Sequence, residues 1–353
     1  MLNEEFWASQ RVLLTGHTGF KGAWMSLWLE KLGAETFAFA LAPDQTPSLY
    51  TKIEPVGRLH STIGDLRDLD AVTRVVGDAR PSVVIHMAAQ PLVRRSYRDP
   101  LQTWATNLSG SVHLLEALRS SPGLKAVLVV TTDKVYRHSG VAHAFGEDDQ
   151  LGGHDPYSAS KAAVEIATAS YAQSYFDPLG IPVATARAGN VLGGGDWSED
   201  RLGPDVWRAA KSGKPIVLRY PDATRPWQHV LDPLAGYLLF VEQLVHDAAH
   251  APRALNFGPD ERSPNLTVKE VVDALAASVG APRSWVQAEG PQPKEMANLT
   301  LDVHKAMKTL NWRPKLATGD ALAWTAEWYR RFDRGESARA LVQEQITRFE
   351  SLP

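Results

Sequence analysis

Arg11-Val12-Leu13-Leu14-Thr15-Gly16-His17-Thr18-Gly19-Phe20-Lys21-Gly22-Ala23-Trp24-Met25-Ser26-Leu27-Trp28-Leu29-Glu30-Lys31-Leu32 is the stretch that decides the fold. Four apolar or β-branched residues run straight into three glycines at intervals of three. A helical pattern follows, with Trp24, Leu27, Trp28 and Leu32 at one face's spacing. Gly16, Gly19 and Gly22, with Phe20 between the last two, suit a tight turn whose backbone approaches a pyrophosphate, while the amides at the helix start face its charge. The spacing G-x-x-G-x-x-G departs from the dinucleotide fingerprint G-x-G-x-x-G. Three glycines alone prove little, because a turn into a helix uses glycine anyway. The strand before them and the helix after them favour a dinucleotide site.

Working outward, short apolar runs alternate with amphipathic segments. The spacing predicts strands at 11–15, 35–41, 60–63, 83–87, 126–131, 182–187 and 254–257, with helices between them. That alternation is the signature of an α/β fold, a Rossmann-type doubly wound parallel sheet covered on both faces. From Asn190 to Pro233 the texture becomes rich in Gly, Pro and Trp. We expect a dinucleotide-binding Rossmann domain at 1–189 with 229–257, and a smaller mixed α/β substrate lobe at 190–228 with 258–353. The 353 residues, 44% hydrophobic, are enough for a full core. Basic and acidic residues nearly balance, 37 against 40, so no basic stripe exists for nucleic acid to follow. There is no cysteine, which excludes disulfides, thiolate catalysis and thiolate-bound metal. Glu4 and Glu5 stand where a signal peptide would be basic, and no apolar run is long enough for a bilayer. A soluble, cytoplasmic protein is expected.

The chemistry concentrates at strand ends. About twenty residues past the glycines, where an acid would hold a ribose, the nearest carboxylate is Asp44, and no arginine suited to a 2′-phosphate stands beside it; NAD is favoured over NADP. Asp65 and Leu66 after the third strand, and Ala88, Ala89 and Gln90 after the fourth, would line the adenine and ribose side. Asp65 reads equally well as a strand-end cap. Tyr157 and Lys161 are four apart and share a helix face. A phenol of pKa about 10 must lose roughly three units to act as a base at neutral pH, worth on the order of 4 kcal/mol, and a fixed ammonium with a positive nicotinamide ring is expected to supply it. The same pair occurs on many solvated helices. Upstream, the fifth strand ends in Thr131-Thr132-Asp133-Lys134, where open parallel sheets bind ligands, although a solvated Asp and Lys at a polar strand end is the ordinary alternative.

Taken together, Gly16 to Gly22, Thr132-Asp133 and Tyr157-Ser-Ala-Ser-Lys161 resemble the extended short-chain dehydrogenase/reductases, in particular the nucleotide-sugar 4,6-dehydratases. Thr15-Gly-His-Thr-Gly-Phe-Lys-Gly22, His86-Met-Ala-Ala-Gln-Pro-Leu-Val93, Asp155-Pro-Tyr-Ser158, Ala188-Gly-Asn-Val-Leu-Gly-Gly-Gly-Asp-Trp197 and Arg225-Pro-Trp-Gln-His-Val230 are similar to the CDP-glucose branch. The resemblance implies a redox-neutral lyase reaction with NAD. Tyr157 and Lys161 would take the C4 hydroxyl proton as C4 is oxidised, with Thr132 sharing its hydrogen bond. Asp133 would protonate the C6 oxygen as water leaves, and the hydride would return to C6, giving a CDP-4-keto-6-deoxyglucose. Many relatives carry glutamate where Lys134 stands. The lysine would serve as the C5 base if neutral, or steady the enolate if charged.

For the substrate, the resemblance points to Arg225 on the diphosphate and Asn190 on sugar or phosphate. Arg201, Asn256 and Lys294 are further candidates that read equally as surface or capping residues. Trp197 and Trp227 suit either a pocket or a core. His138, His143 and His154 lack any rigid ligand spacing, so no metal is expected and a mobile cap is the simpler reading. His86 inside an apolar strand reads as a satisfied core histidine. Apolar residues on more than one face of 100–118 and 157–175 predict at least a homodimer, with a dimer of dimers left open. The resemblance also suggests deoxysugar synthesis for surface polysaccharide such as lipopolysaccharide. A nucleotide-sugar 4-epimerase would share the tyrosine, lysine and NAD but needs neither Asp133 nor Lys134 for elimination. A silent dinucleotide sensor would need none of the four catalytic candidates.

Overall fold

Strand β1 (Arg11–Thr15) sends Val12 and Leu14 into one apolar cluster and Leu13 into another, and all three are fully buried. The same alternation recurs in β4 (Val83–His86) and β5 (Ala126–Val130), so the centre of the sheet is dry on both faces, as strands covered twice by helices must be. The structure is a computed structural model that describes residues 2–53, 59–138, 143–259, 266–281, 285–292 and 299–353. With β2 (Glu35–Ala40), β3 (Leu59–Ile63), β6 (Val183–Ala188) and β7 (Ala254–Phe257), seven parallel strands lie in the order β7-β6-β5-β4-β1-β2-β3. All seven were expected within about a residue. The order reverses between β1 and β4, which is where a doubly wound sheet opens a crevice.

Helix α1 (Phe20–Lys31) and α5 (Leu231–His246) cover one face, while α2 (Leu69–Ala79) and α3 (Gly110–Leu118) cover the other. Residues 100–118 do not form a uniform helix. A wider π turn at Ala105–Ser109 follows Pro100–Trp104 and precedes α3. It buries Asn107, whose side chain takes a hydrogen bond from Gln90 N (2.7 Å) and donates to Gln90 O (3.2 Å) and Ser160 Oγ (2.9 Å). The bulge thereby ties the loop after β4 to α4 (Pro156–Tyr171).

The smaller lobe has its own core, in which Leu192, Val206, Ile216, Leu218, Trp227, Val271 and Leu275 meet Leu322 and Ala326 of α6 (Thr318–Asp333). The expected boundary at 258 is corrected at the C-terminus. Leu341, Val342, Ile346 and Phe349 of α7 (Ala338–Glu350) pack in the same cluster as Trp24 and Trp28, and Trp28 Nε1 donates to Glu350 Oε1 at 2.8 Å. The apolar stripe of α7 therefore packs on α1 as well as on α6, joining the C-terminus to the main domain.

Candidate active site

The glycine turn is built by close approach. Gly16 has φ +83°, and a Cβ there would stand 2.7 Å from Ala88 N, so only glycine lets β1 turn against the end of β4. A Cβ on Gly22 would meet Gly16 O at 2.0 Å. Gly19 differs: only Gly16 O lies within reach, at 3.4 Å, leaving open space above the start of α1. No side chain caps that helix, so its first amides face the space with their partial positive charge. These residues fit the pyrophosphate of a dinucleotide, and a side chain at Gly19 would obstruct it.

Behind the turn, Thr15 Oγ1 lies 2.6 Å from His86 Nδ1, and His86 Nε2 lies 2.9 Å from Ser111 Oγ. The Ser111 hydroxyl donates to Asn107 O. It must therefore accept from Nε2–H, which leaves Nδ1 to accept from Thr15. His86 is neutral, pushed down to about 3 by burial. It is a satisfied core histidine.

Several expected cofactor contacts are spent elsewhere. The Gln90 amide donates to Leu92 O (3.1 Å) and Thr103 Oγ1 (2.9 Å) and accepts from Leu92 N (2.7 Å), so the side chain shapes its own loop. Asp65 accepts from Arg67 N and is gripped by the Arg67 guanidinium, whose hydrogen bonds hold the carboxyl below its usual range; it forms the turn after β3. Leu66 is buried and its carbonyl lies 2.9 Å from His113 Nδ1. Asp44 is paired with Arg95 at 2.7 Å.

The catalytic candidates converge. Asp155 caps α4 through Ser158 N (2.9 Å), with Pro156 in the first turn, and Tyr157 N donates to Ser96 Oγ (3.1 Å). One turn on, Lys161 Nζ donates to Val130 O at 2.9 Å, which fastens the lysine to the end of β5. The Tyr157 phenol lies beside the Thr132 side chain, and Thr132 Oγ1 donates to Asp133 Oδ1 at 2.9 Å. Lys134 Nζ donates to the same Oδ1 at 3.0 Å and to Asn190 Oδ1 at 3.1 Å, linking the ends of β5 and β6. Asp133 is fully buried, and its Oδ2 has no hydrogen-bond partner among the described residues.

The expected activation of Tyr157 is not intrinsic to the chain. Burial pushes the phenol up to about 12, against the opposing effect of the neighbouring Thr132, because a phenolate loses more hydration than a phenol. Lys161 moves the other way, down to about 8, also by burial. Lowering the phenol therefore requires positive charge brought in with the cofactor.

A cleft of about 1200 Å³ opens over Thr132, Lys134, Tyr157, Lys161 and Asn190, with Asp133 buried behind its lining. Nine lysine and arginine side chains line it against four carboxylates, a balance suited to a diphosphate. Ala89, Asn190, Arg201 and Arg225 are among the lining residues. Arg225 is buried and donates to Thr224 O at 2.8 Å, while Arg201 reaches Asp196 Oδ2 at 3.3 Å. Trp227 lines the cleft with its Nε1 on Leu266 O, whereas Trp197 packs among Trp207, Trp328, Tyr329 and Phe332 as core.

Asn256 is a correction. It is fully buried, accepting from Tyr136 Oη at 2.6 Å and donating to Phe145 O and Asp302 O, so it stitches β7 to the loop after β5 and cannot meet substrate. Lys294 lies outside the described residues, as does part of the loop between His138 and His143. His143 pairs with Asp149 at 2.7 Å.

Sequence reasoning missed Lys21. Its ammonium enters the cleft, 5.6 Å from the ring centre of buried Tyr237, and burial followed by the charges of Arg201 and Lys161 pushes it down to about 7. The available signal was a lone lysine inside the glycine block.

The sequence profile of the NAD dependent epimerase/dehydratase family matches residues 12–258. A CDP-glucose 4,6-dehydratase of Salmonella typhimurium is 38% identical over 356 residues, covering 99% of both chains. A dTDP-glucose 4,6-dehydratase of Xanthomonas campestris pv. campestris is 29% identical over 282 residues, 75% of this chain and 77% of that one. Among solved structures, the UDP-glucose 4-epimerase of Thermus thermophilus in complex with NAD superposes with a TM-score of 0.76 and 27% identity, over 90% of this chain and 98% of that one.

Proposed function

This chain belongs to the NAD-dependent epimerase/dehydratase family, and from that premise we propose that it converts CDP-glucose to CDP-4-keto-6-deoxyglucose and water. NAD is the cofactor. When bound it supplies a hydride acceptor and donor and, while oxidised, a positive ring. Everything else falls to the residues of the cleft.

The reading is carried by one observation: Lys134 and Asp133 meet at 3.0 Å beside the Tyr157–Thr132 pair. A tyrosine and a lysine suffice for oxidation and reduction at C4. An acid and a base a few ångströms away are needed only when a carbon–oxygen bond must also break. Tyr157 takes the C4 hydroxyl proton, with Lys161 holding positive charge nearby. Once C4 is a ketone the C5 proton is acidic, and Lys134 removes it as Asp133 gives its proton to the C6 oxygen through the free Oδ2. Arg225, Arg201 and Asn190 hold the diphosphate and sugar. Gly16, Gly19, Phe20, Gly22, Ala88 and Ala89 frame the dinucleotide. A 4-epimerase is disfavoured, because it has no use for the Asp133–Lys134 pair.

Incubation with CDP-, dTDP-, GDP- and UDP-glucose and NAD tests the reading. The alkaline absorbance of a 4-ketosugar is expected with CDP-glucose first; its absence with all four, or a C4 epimer as product, overturns the proposal. The reaction belongs to deoxysugar assembly for surface polysaccharide such as lipopolysaccharide, carried out in the cytoplasm, a placement supported by the resemblance to biosynthetic dehydratases. Leu101 (83% exposed) and Ile166 (62%), with Trp104 and Tyr175, stand outside the core on the 100–118 and 156–176 helices. That patch supports a homodimer. Light scattering showing a monomer at micromolar concentration refutes it.

A further inference from the structure

Proton accounting over this cycle leaves an imbalance. Tyr157 gains the C4 hydroxyl proton. Asp133 loses its proton to the departing C6 oxygen, and the product water carries it away. Lys134 only lends, taking the C5 proton and returning it. After one turnover the phenol holds one proton too many and the carboxylate one too few.

Thr132 lies next to both groups. The Thr132 side chain stands close enough to the Tyr157 phenol to bear on its ionisation, and Thr132 Oγ1 donates to Asp133 Oδ1 at 2.9 Å. A hydroxyl carries one proton and two lone pairs, so it can accept from one neighbour while giving to another. Asp133 is fully buried and Tyr157 is 8% exposed, which leaves little direct route through solvent. Asp133 divides its two oxygens, with Thr132 and Lys134 on Oδ1 and Oδ2 buried without a partner among the described residues.

We propose that Thr132 is the proton bridge that resets the site between turnovers. The Tyr157 O–H breaks as Thr132 Oγ gains a proton, and the Thr132 O–H breaks as Asp133 Oδ1 gains one. No electron is exchanged, and the C4 hydroxyl has replaced the proton lost in water. Both arrangements of the pair carry the same total charge. This inference rests on the elimination reading above.

The test compares wild type, Thr132→Val and Thr132→Ser with NAD and saturating CDP-glucose, while imidazole is raised stepwise at fixed pH and ionic strength. Wild type and Thr132→Ser should ignore imidazole. Thr132→Val should turn over roughly 10²-fold or more slowly in kcat with little change in KM, and its rate should climb with imidazole, which carries the proton when the cleft opens. A slow valine variant indifferent to imidazole would mean that Thr132 only positions a hydroxyl, and the bridge is overturned. Failure of wild type to form any ketosugar would instead sink the dehydratase reading itself.

Discussion

Replacing Lys21 with methionine should make the cofactor-free protein more stable, and the gain should depend on pH in a defined direction. Lys21 ionises near 7 in the fold against 10.5 for an ordinary lysine. Between those values the unfolded chain holds the proton and the folded chain does not, so stability rises with pH through the window and is lost as pH falls towards about 7. At about 1.4 kcal/mol per unit, the depression costs on the order of 4 kcal/mol near neutrality. The open side of the cleft, where water reaches the amine, reduces the net gain for Lys21→Met to about 2–3 kcal/mol. Urea denaturation midpoints for both proteins, measured from about pH 7 to about pH 10.5, read this directly. The two curves should converge at the alkaline end. A Lys21→Met protein less stable than wild type at neutral pH, or a gain that ignores pH, refutes the reasoning.

Three further outcomes follow from the same geometry. Lys134→Ala should slow exchange of the C5 hydrogen with solvent deuterium by about 10²-fold or more, and exchange at the wild-type rate would remove its role as base. Glu165→Ala should cost about 3–5 kcal/mol in denaturant titration, since it strands the buried Arg187 guanidinium now held at 2.9–3.0 Å and unpartners Thr185; a loss under about 1 kcal/mol would contradict this. Acid should unfold the chain below about pH 5. His17, His86 and His229 are held neutral by burial, near 4, 3 and 3, so each contributes stability above the ordinary histidine value that is lost as pH falls. At about pH 5 the three together cost roughly 6 kcal/mol, comparable to a typical net stability. Circular dichroism of a native chain at about pH 4 would disprove it.

What the sequence revealed was local. The central strands β1, β4 and β5 were visible because their residues are apolar on both faces and a glycine, a polar pair or a turn follows each. Tyr157, Lys161, Thr132, Asp133 and Lys134 were visible as motifs, and the fold brings them together because β5 ends where α4 begins its first turn. What stayed hidden depends on partners distant in the chain. Asn256 looks like any strand-end amide until Tyr136 and Phe145 close around it. The Gln90 loop looks open in sequence until Thr103 of the 100–104 helix and Asn107 of the π turn close on it. The phenol's ionisation could not be read from a spacing of four, because burial outweighs the neighbouring cations and burial is a property of the whole cleft.

The Gly16–Ala88 approach leaves β1 no slack along its own axis. Deleting one residue between Val12 and Thr15 would exchange its inward and outward side chains and carry the glycine turn about 3.4 Å from the place where it clears β4. Hydrophobic burial and dinucleotide recognition are thus set by a single register. Length variation in descendants of this chain should therefore accumulate in the connections beyond β2 and in the smaller lobe, while the twelve positions from Arg11 to Gly22 keep their count.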